Sequence, residues 1–222
     1  MSASSGPPLM TSEAIDEETI PNHGPNDYFS THPGQLLNDR YQTITKLGWG
    51  FGSTVWLAED LQRCEEQSTS PQYVAVKIGT SRYGSIAAAE HELKLSQRIA
   101  TANPSHPGAS YIRVPIDDFQ INGSHGDSHR KSLDFTLLSF YKDSTTFIPS
   151  AISSIRANLK DDNILVDLES ESVLEDFVQQ QRQIPPLRHV TDDGHVTYMS
   201  QGDFGPLRDY FILPEIADLD LA

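Results

Sequence analysis

The chain has 222 residues, 37% apolar and 21% charged, with a formal charge of −15. One cysteine, Cys64, excludes an internal disulfide and fits a reducing compartment, cytosol or nucleus. The acidity argues against direct nucleic-acid binding, which takes clustered Lys and Arg, and suits either solubility or a basic protein partner; no run nears the ~18 apolar residues of a membrane span.

Residues 1–32 are rich in Ser, Pro, Gly and acids without an apolar period, which predicts a disordered tail. With no basic n-region and no apolar h-region, the start does not read as a secretory signal. From Tyr41 the texture changes. "YQTITKLGWG" alternates and then turns on glycines, and "STVWLAED" reads as a second strand. After the polar "LQRCEEQSTSPQ", "YVAVKIG" is apolar enough to be a buried third strand, giving an antiparallel meander. "SIAAAEHELKLSQRIA", residues 85–100, predicts a helix capped by Ser85, with Ile86, Ala89, Leu93 and Ile99 on one face. "TANPSHPGAS" ends it, and "YIRVPIDDFQI" and "SLDFTLLSFY" read as two more strands. Beyond Tyr141 the pattern weakens. "NILVDL" is a strand candidate and "VLEDFVQQQRQI" a short helix. A loop-like run with a hairpin at Asp193-Gly194 follows, and "YFILPEIADLDLA" closes the sequence.

Three features carry chemistry. Residues Gly48 to Val55 match G-x-G-x-x-G-x-V except that Ser53 replaces the third glycine. Glycines between two strands let a backbone approach phosphate. A strand follows, so this is not a dinucleotide-binding fingerprint, which needs a helix there. Lys77 ends the "VAVK" of the third strand, where a cation needs a partner. Glu92, or Glu90 two residues before it, offers that partner from the predicted helix. His125 and His129 stand four apart, but Gly126 argues for a loop and against a zinc site. The Asn122-Gly123-Ser124 sequon matters only in a secreted chain.

In this order, glycine hairpin, strand lysine and helix glutamate resemble a protein kinase. "LNDRYQTITKLGWGFGSTVWLAEDL" is similar to the opening of the SR-protein kinases, especially fungal members, which carry "NDRY", "KLGWG" and "STVWLA" and use Ser in place of the third glycine. Phe51-Gly52 departs from the family, which has a polar residue followed by Phe. The resemblance runs from about Pro33 to Ala222 with a gap. It implies an α+β fold: a kinase N-lobe over 33–143, with a five-stranded antiparallel sheet plus one helix, and an incomplete C-lobe over 144–222. It implies ATP and Mg²⁺, with Leu47, Gly48, Gly50, Ser53, Val55, Ala75, Lys77, Glu92 and Phe140 around the nucleotide. Val55 and Ala75 would pack on adenine, the Lys77–Glu92 pair would hold the phosphates, and Phe140 would be the gatekeeper before a hinge at 141–143.

The second half fits the family less well. Where the family has "HTDLKPDNIL", this chain has residues Arg156 to Leu165, "RANLKDDNIL". Lys160 and the metal-binding Asn163 match. The catalytic base position is Asn158, and an amide does not take up a proton as a carboxylate does; such a loss costs about 10²–10⁴ in rate. Asp161 stands three residues along. The metal-binding Asp has two candidates, Asp203 in a literal Asp-Phe-Gly and Asp218 after the apolar "YFILPEIA". The second matches the family's "IADFGLA", so Asp218 is assigned to Mg²⁺. Residues 203–205 then fall inside a spacer, about 169–210, that resembles the acidic insert of fungal members. About a dozen residues between Asp143 and Arg156 are too few for two C-lobe helices, and the sequence ends two residues past Asp220, before any activation segment.

The resemblance therefore implies an ATP-binding, serine/threonine-kinase-like chain, cytoplasmic or nuclear. By ancestry it acts on Ser in basic Arg/Ser-rich proteins, with weak or no activity as written. The alternatives are a non-catalytic pseudokinase module and a truncated gene product.

Overall fold

A computed structural model describes residues 10–21, 24, 27–62, 72–80, 91, 94, 98, 101, 103, 115–122, 132–139, 164–166, 168–208 and 214–216. The alternating segments form one antiparallel sheet. Its strands are β2 (Leu36–Leu37), β3 (Tyr41–Trp49), β4 (Ser53–Asp60), β5 (Tyr73–Gly79), β6 (Asp117–Asn122) and β7 (Ser132–Ser139), in the order β2-β3-β4-β5-β7-β6. The five expected strands are all present, and the sixth is the two-residue edge strand β2. The β2–β3 connection places Asn38 and Asp39 at φ 50 and 51, the left-handed region these short polar side chains tolerate, and Arg40 N–H closes the turn on Leu37 O at 3.1 Å. Of the strand expected over 111–121, Asp117 onward lies in β6, residues 115 and 116 are not strand, and 111–114 lie outside the described residues. Residues 91, 94 and 98 of the expected helix, and 101 just past its expected end, are helical and exposed, the spacing of a solvent-facing stripe.

Period-two alternation gives the sheet two apolar faces. Leu37, Tyr41, Trp56, Ala58, Val74, Val76 and Ile78 pack on one, called here the outer face. Leu57, Tyr73 and Ala75, with Ile44, Leu47 and Val55, pack on the other, the inner face.

Two smaller ladders and a helix make up the remaining described elements. Strands β8 (Ile164–Val166) and β11 (Pro214–Ile216) pair antiparallel, Ile164 opposite Ile216. The acidic insert runs between them. It contains a helix, Glu171–Gln183, then β9 (Arg188–Val190) and β10 (Val196–Tyr198), a hairpin closed through Gly194 at φ 86. The helix buries Val173, Leu174, Phe177 and Val178, and the last three join the inner-face cluster. Tyr198 packs edge-on against Trp56 on the outer face, ring centroids 6.0 Å apart. Between the two, Gln201 N–H bonds Lys46 O at 2.8 Å along the open side of β3, so the insert wraps that edge.

One expectation is corrected. The described part of residues 1–32 is ordered and packed. Strand β1 (Met10–Thr11) pairs in parallel with β9, a 3-10 turn covers Asp16–Thr19, and Glu17 and Tyr28 are buried. The acids that suggested disorder have partners. Glu17 bonds the Lys46 ammonium, which also lies 3.1 Å from Asp16 Oδ2. The Glu18 carboxylate accepts from Thr197 Oγ1 and faces His189 Nδ1, each at 2.7 Å. Residues 168–208, expected within the incomplete C-lobe, pack against the sheet, and the expected boundary at 143/144 lies outside the described residues.

Candidate nucleotide-binding site

The β3–β4 hairpin turns through the glycines between Leu47 and Val55, both on the inner face. Gly50 N–H bonds Ser53 O at 2.8 Å across the turn. The carbonyls of Gly50 and Phe51 accept from the buried Tyr28 hydroxyl at 3.0 and 3.2 Å, and Gly52 O accepts from Thr80 N–H at 2.8 Å. Phe51 projects from the tip, 69% exposed. A Cβ on Gly48, Gly50 or Gly52 would meet no atom within 4 Å, and none of the three has a positive φ. Neither packing nor backbone conformation requires glycine here. What the three glycines provide is an open surface that a ligand's oxygens can approach closely.

Lys77 sits opposite Val55 in the β4–β5 ladder and is half-buried, on the same side of its strand as Ala75. Leu47, Val55 and Ala75 belong to a single cluster, so the structure brings together the hairpin, the strand lysine and the three apolar residues expected at the base. Ser53 pairs with Gly79 at the foot of the hairpin. Glu92, Phe140, Asn158, Lys160, Asn163 and Asp218 lie outside the described residues, as do Glu90, Asp161 and the hinge 141–143.

The two ends expected to take the phosphates and the base differ. The phosphate end is open. At the base end Ala75 is 7% and Leu57 0% exposed, and Leu174, Phe177, Val178 and Phe204 lie against them. Phe177 and Phe204 form a tilted ring pair, centroids 4.3 Å apart. The literal Asp-Phe-Gly therefore supplies an apolar contact through Phe204, while Asp203 accepts from Gly205 N–H at 2.9 Å in a local turn. Sequence reading missed the part played by Phe177 and Phe204. The signal available was the apolar spacing Val173, Leu174, Phe177, Val178, which marks one helix face without saying what it covers. A separate groove of about 450 Å³ lies by β3, lined by residues including Pro33, Thr43, Gln181, Arg182 and Arg188, and contains none of the expected nucleotide residues.

Strand order, glycine hairpin and the Ala75–Lys77 strand are similar to the small lobe of a protein kinase, here with residues 168–208 packed on both faces of the sheet. Comparison with known proteins narrows this. No family model matches the chain. Mouse SRSF protein kinase 3 is 35% identical over 118 residues, 53% of this chain and 20% of that protein. A serine/threonine protein kinase of Aspergillus fumigatus is 31% identical over 124 residues, 56% of this chain and 28% of its own length. The Caenorhabditis elegans serine/threonine-protein kinase spk-1 is 34% identical over 124 residues, 54% of this chain and 12% of that protein. The crystal structure of the PF14_0431 kinase domain overlaps 49% of this chain and 27% of its own at 19% identity and a TM-score of 0.36, a likeness on which nothing further rests. Over about half its length the chain is thus similar to the SR-protein kinases, and it spans under a third of the length of each of these relatives.

Proposed function

We propose that this chain is a nucleotide-binding, SR-protein-kinase-like module that holds ATP-Mg by its phosphates and transfers the γ-phosphoryl group poorly or not at all. The carrying observation is the open glycine hairpin beside Lys77, three glycines for which the fold itself gives no reason. Backbone there approaches phosphate, and the ammonium supplies the counter-charge. Asn158 at the base position supports the loss of chemistry, since an amide is a poor proton acceptor. The relatives named for SRSF proteins suggest a basic Arg/Ser-rich protein as the partner, which a chain of charge −15 suits. We place it in the cytosol or nucleus on its single cysteine.

The test is thermal unfolding with and without ATP-Mg. A ligand bound only by the folded state raises the midpoint as its concentration passes Kd. A rise in the unmodified chain that Lys77→Ala removes is the expected result, with no phosphorylation of an Arg-Ser peptide above background. Lys77-dependent turnover of that peptide would overturn the inactive assignment. No midpoint rise at millimolar ATP-Mg would overturn the nucleotide assignment.

A further inference from the structure

We infer that the chain carries its own occupant for the base-binding half of this site: the Glu171–Gln183 helix together with Phe204 is an autoinhibitory plug that a nucleotide must displace. The inference rests on the nucleotide reading above and adds its regulation. Leu174, Phe177 and Val178 are each 3% exposed or less and pack in one cluster with Leu47, Val55 and Ala75, the surface a purine would cover. Phe177 and Phe204 lay two aromatic rings on that surface, the chemistry by which a flat base would be held. The glycine hairpin is not covered in this way. The plug thus competes with the base and leaves the phosphate end open.

Its ion pairs are of the kind that release. Thr45 Oγ1 donates to Gln181 Oε1 at 3.3 Å, and Arg182, itself half exposed, pairs with Glu59. Arg208 closes the return segment onto Asp176 at 2.7 Å between two exposed side chains. The two exposed ion pairs add little to stability, so the apolar contacts, together with the hydrogen bond from the buried Thr45, hold the helix in place. The insert leaves and rejoins the fold at the short β8–β11 ladder, so the helix can leave the sheet without disturbing strand order.

A site available only in a minor open state binds with its affinity reduced by the open fraction. The experiment titrates the full chain with a fluorescent ATP-Mg analogue, comparing it with a Phe177→Ala/Phe204→Ala variant. The variant is expected to bind at least ~10-fold more tightly, and adding Lys77→Ala should reverse the gain. Inorganic tripolyphosphate with Mg²⁺, which lacks a base, should bind both chains alike. A second measurement needs no substitution: amide exchange across 171–183 in the unmodified chain should accelerate at saturating ATP-Mg. Equal affinities with the helix still protected under bound ATP would overturn the plug and leave the nucleotide reading standing. A parallel gain for tripolyphosphate would also overturn it, by placing the effect away from the base. Failure of both chains to bind ATP-Mg would overturn the two together.

Discussion

Lys46 shows how far one side chain's role can depart from its sequence context. In "TITKLGW" it reads as an ordinary strand residue, yet its side chain is 1% exposed and held between Asp16 and Glu17, with Tyr198 O accepting at 3.1 Å. A charge buried this far is tolerated only with its partners in place. Glu17→Ala is therefore expected to lower stability by about 3–5 kcal/mol, measured by urea unfolding. Glu18 makes the outer face sensitive to pH. Burial pushes its carboxyl upward, but bonds from Thr197, the Ile15 N–H and His189 outweigh that, and its pKa lies below the ordinary 4.5. A lowered folded-state pKa means the contribution is complete above the unfolded value and lost as pH falls through the folded one. The unmodified chain should thus lose stability between about pH 5 and 3 more steeply than Glu18→Gln. None of this was legible beforehand. Asp16-Glu17-Glu18 stands some thirty residues from Lys46, and composition alone favours disorder for such a stretch.

At the scale of elements the sequence was most informative where period and turn chemistry agree. Strands β4 and β5 have the bounds their alternation predicts, Ser53–Asp60 and Tyr73–Gly79, because each apolar position meets a core on one side or the other. Glycines divide by what they are for. Gly194 lies at φ 86, where Gly194→Ala would be strained by roughly 1–2 kcal/mol. Gly50 has negative φ and open space, so Gly50→Ala should leave stability unchanged or raise it by about 0.4–1 kcal/mol. The same substitution should weaken ATP-Mg binding. Paired melts of the two variants, with and without ATP-Mg, separate the structural glycine from the one kept for a ligand.

At the scale of the whole molecule, patterning ceased to be a guide. It marked a helix near 173–184 and a hairpin at Asp193-Gly194, and both are present, but an amphipathic stripe does not say which face of which sheet it will cover. The insert therefore read only as a spacer between two strands, and its packing on both faces of the sheet was not legible. The N-terminal segment was misjudged for a related reason: its apolar and acidic groups are satisfied by partners distant in sequence. Removing residues 1–32 would cost nothing if they formed a loose tail. With Glu17 and Tyr28 buried, it should instead lower the unfolding midpoint by about 10 °C, read by scanning calorimetry.

Strand β3 pairs with β2 only at Tyr41 and Gln42. Along the rest of that side, backbone bonds such as Gly34 N–H to Thr43 O and Gln201 N–H to Lys46 O occupy groups that would otherwise await a neighbour. Fully peeling the insert away would strip part of that cover, and a bare sheet edge is a template for another copy of the same strand. Lasting release would then carry a hazard of its own: self-association that rises with protein concentration and is visible in sedimentation.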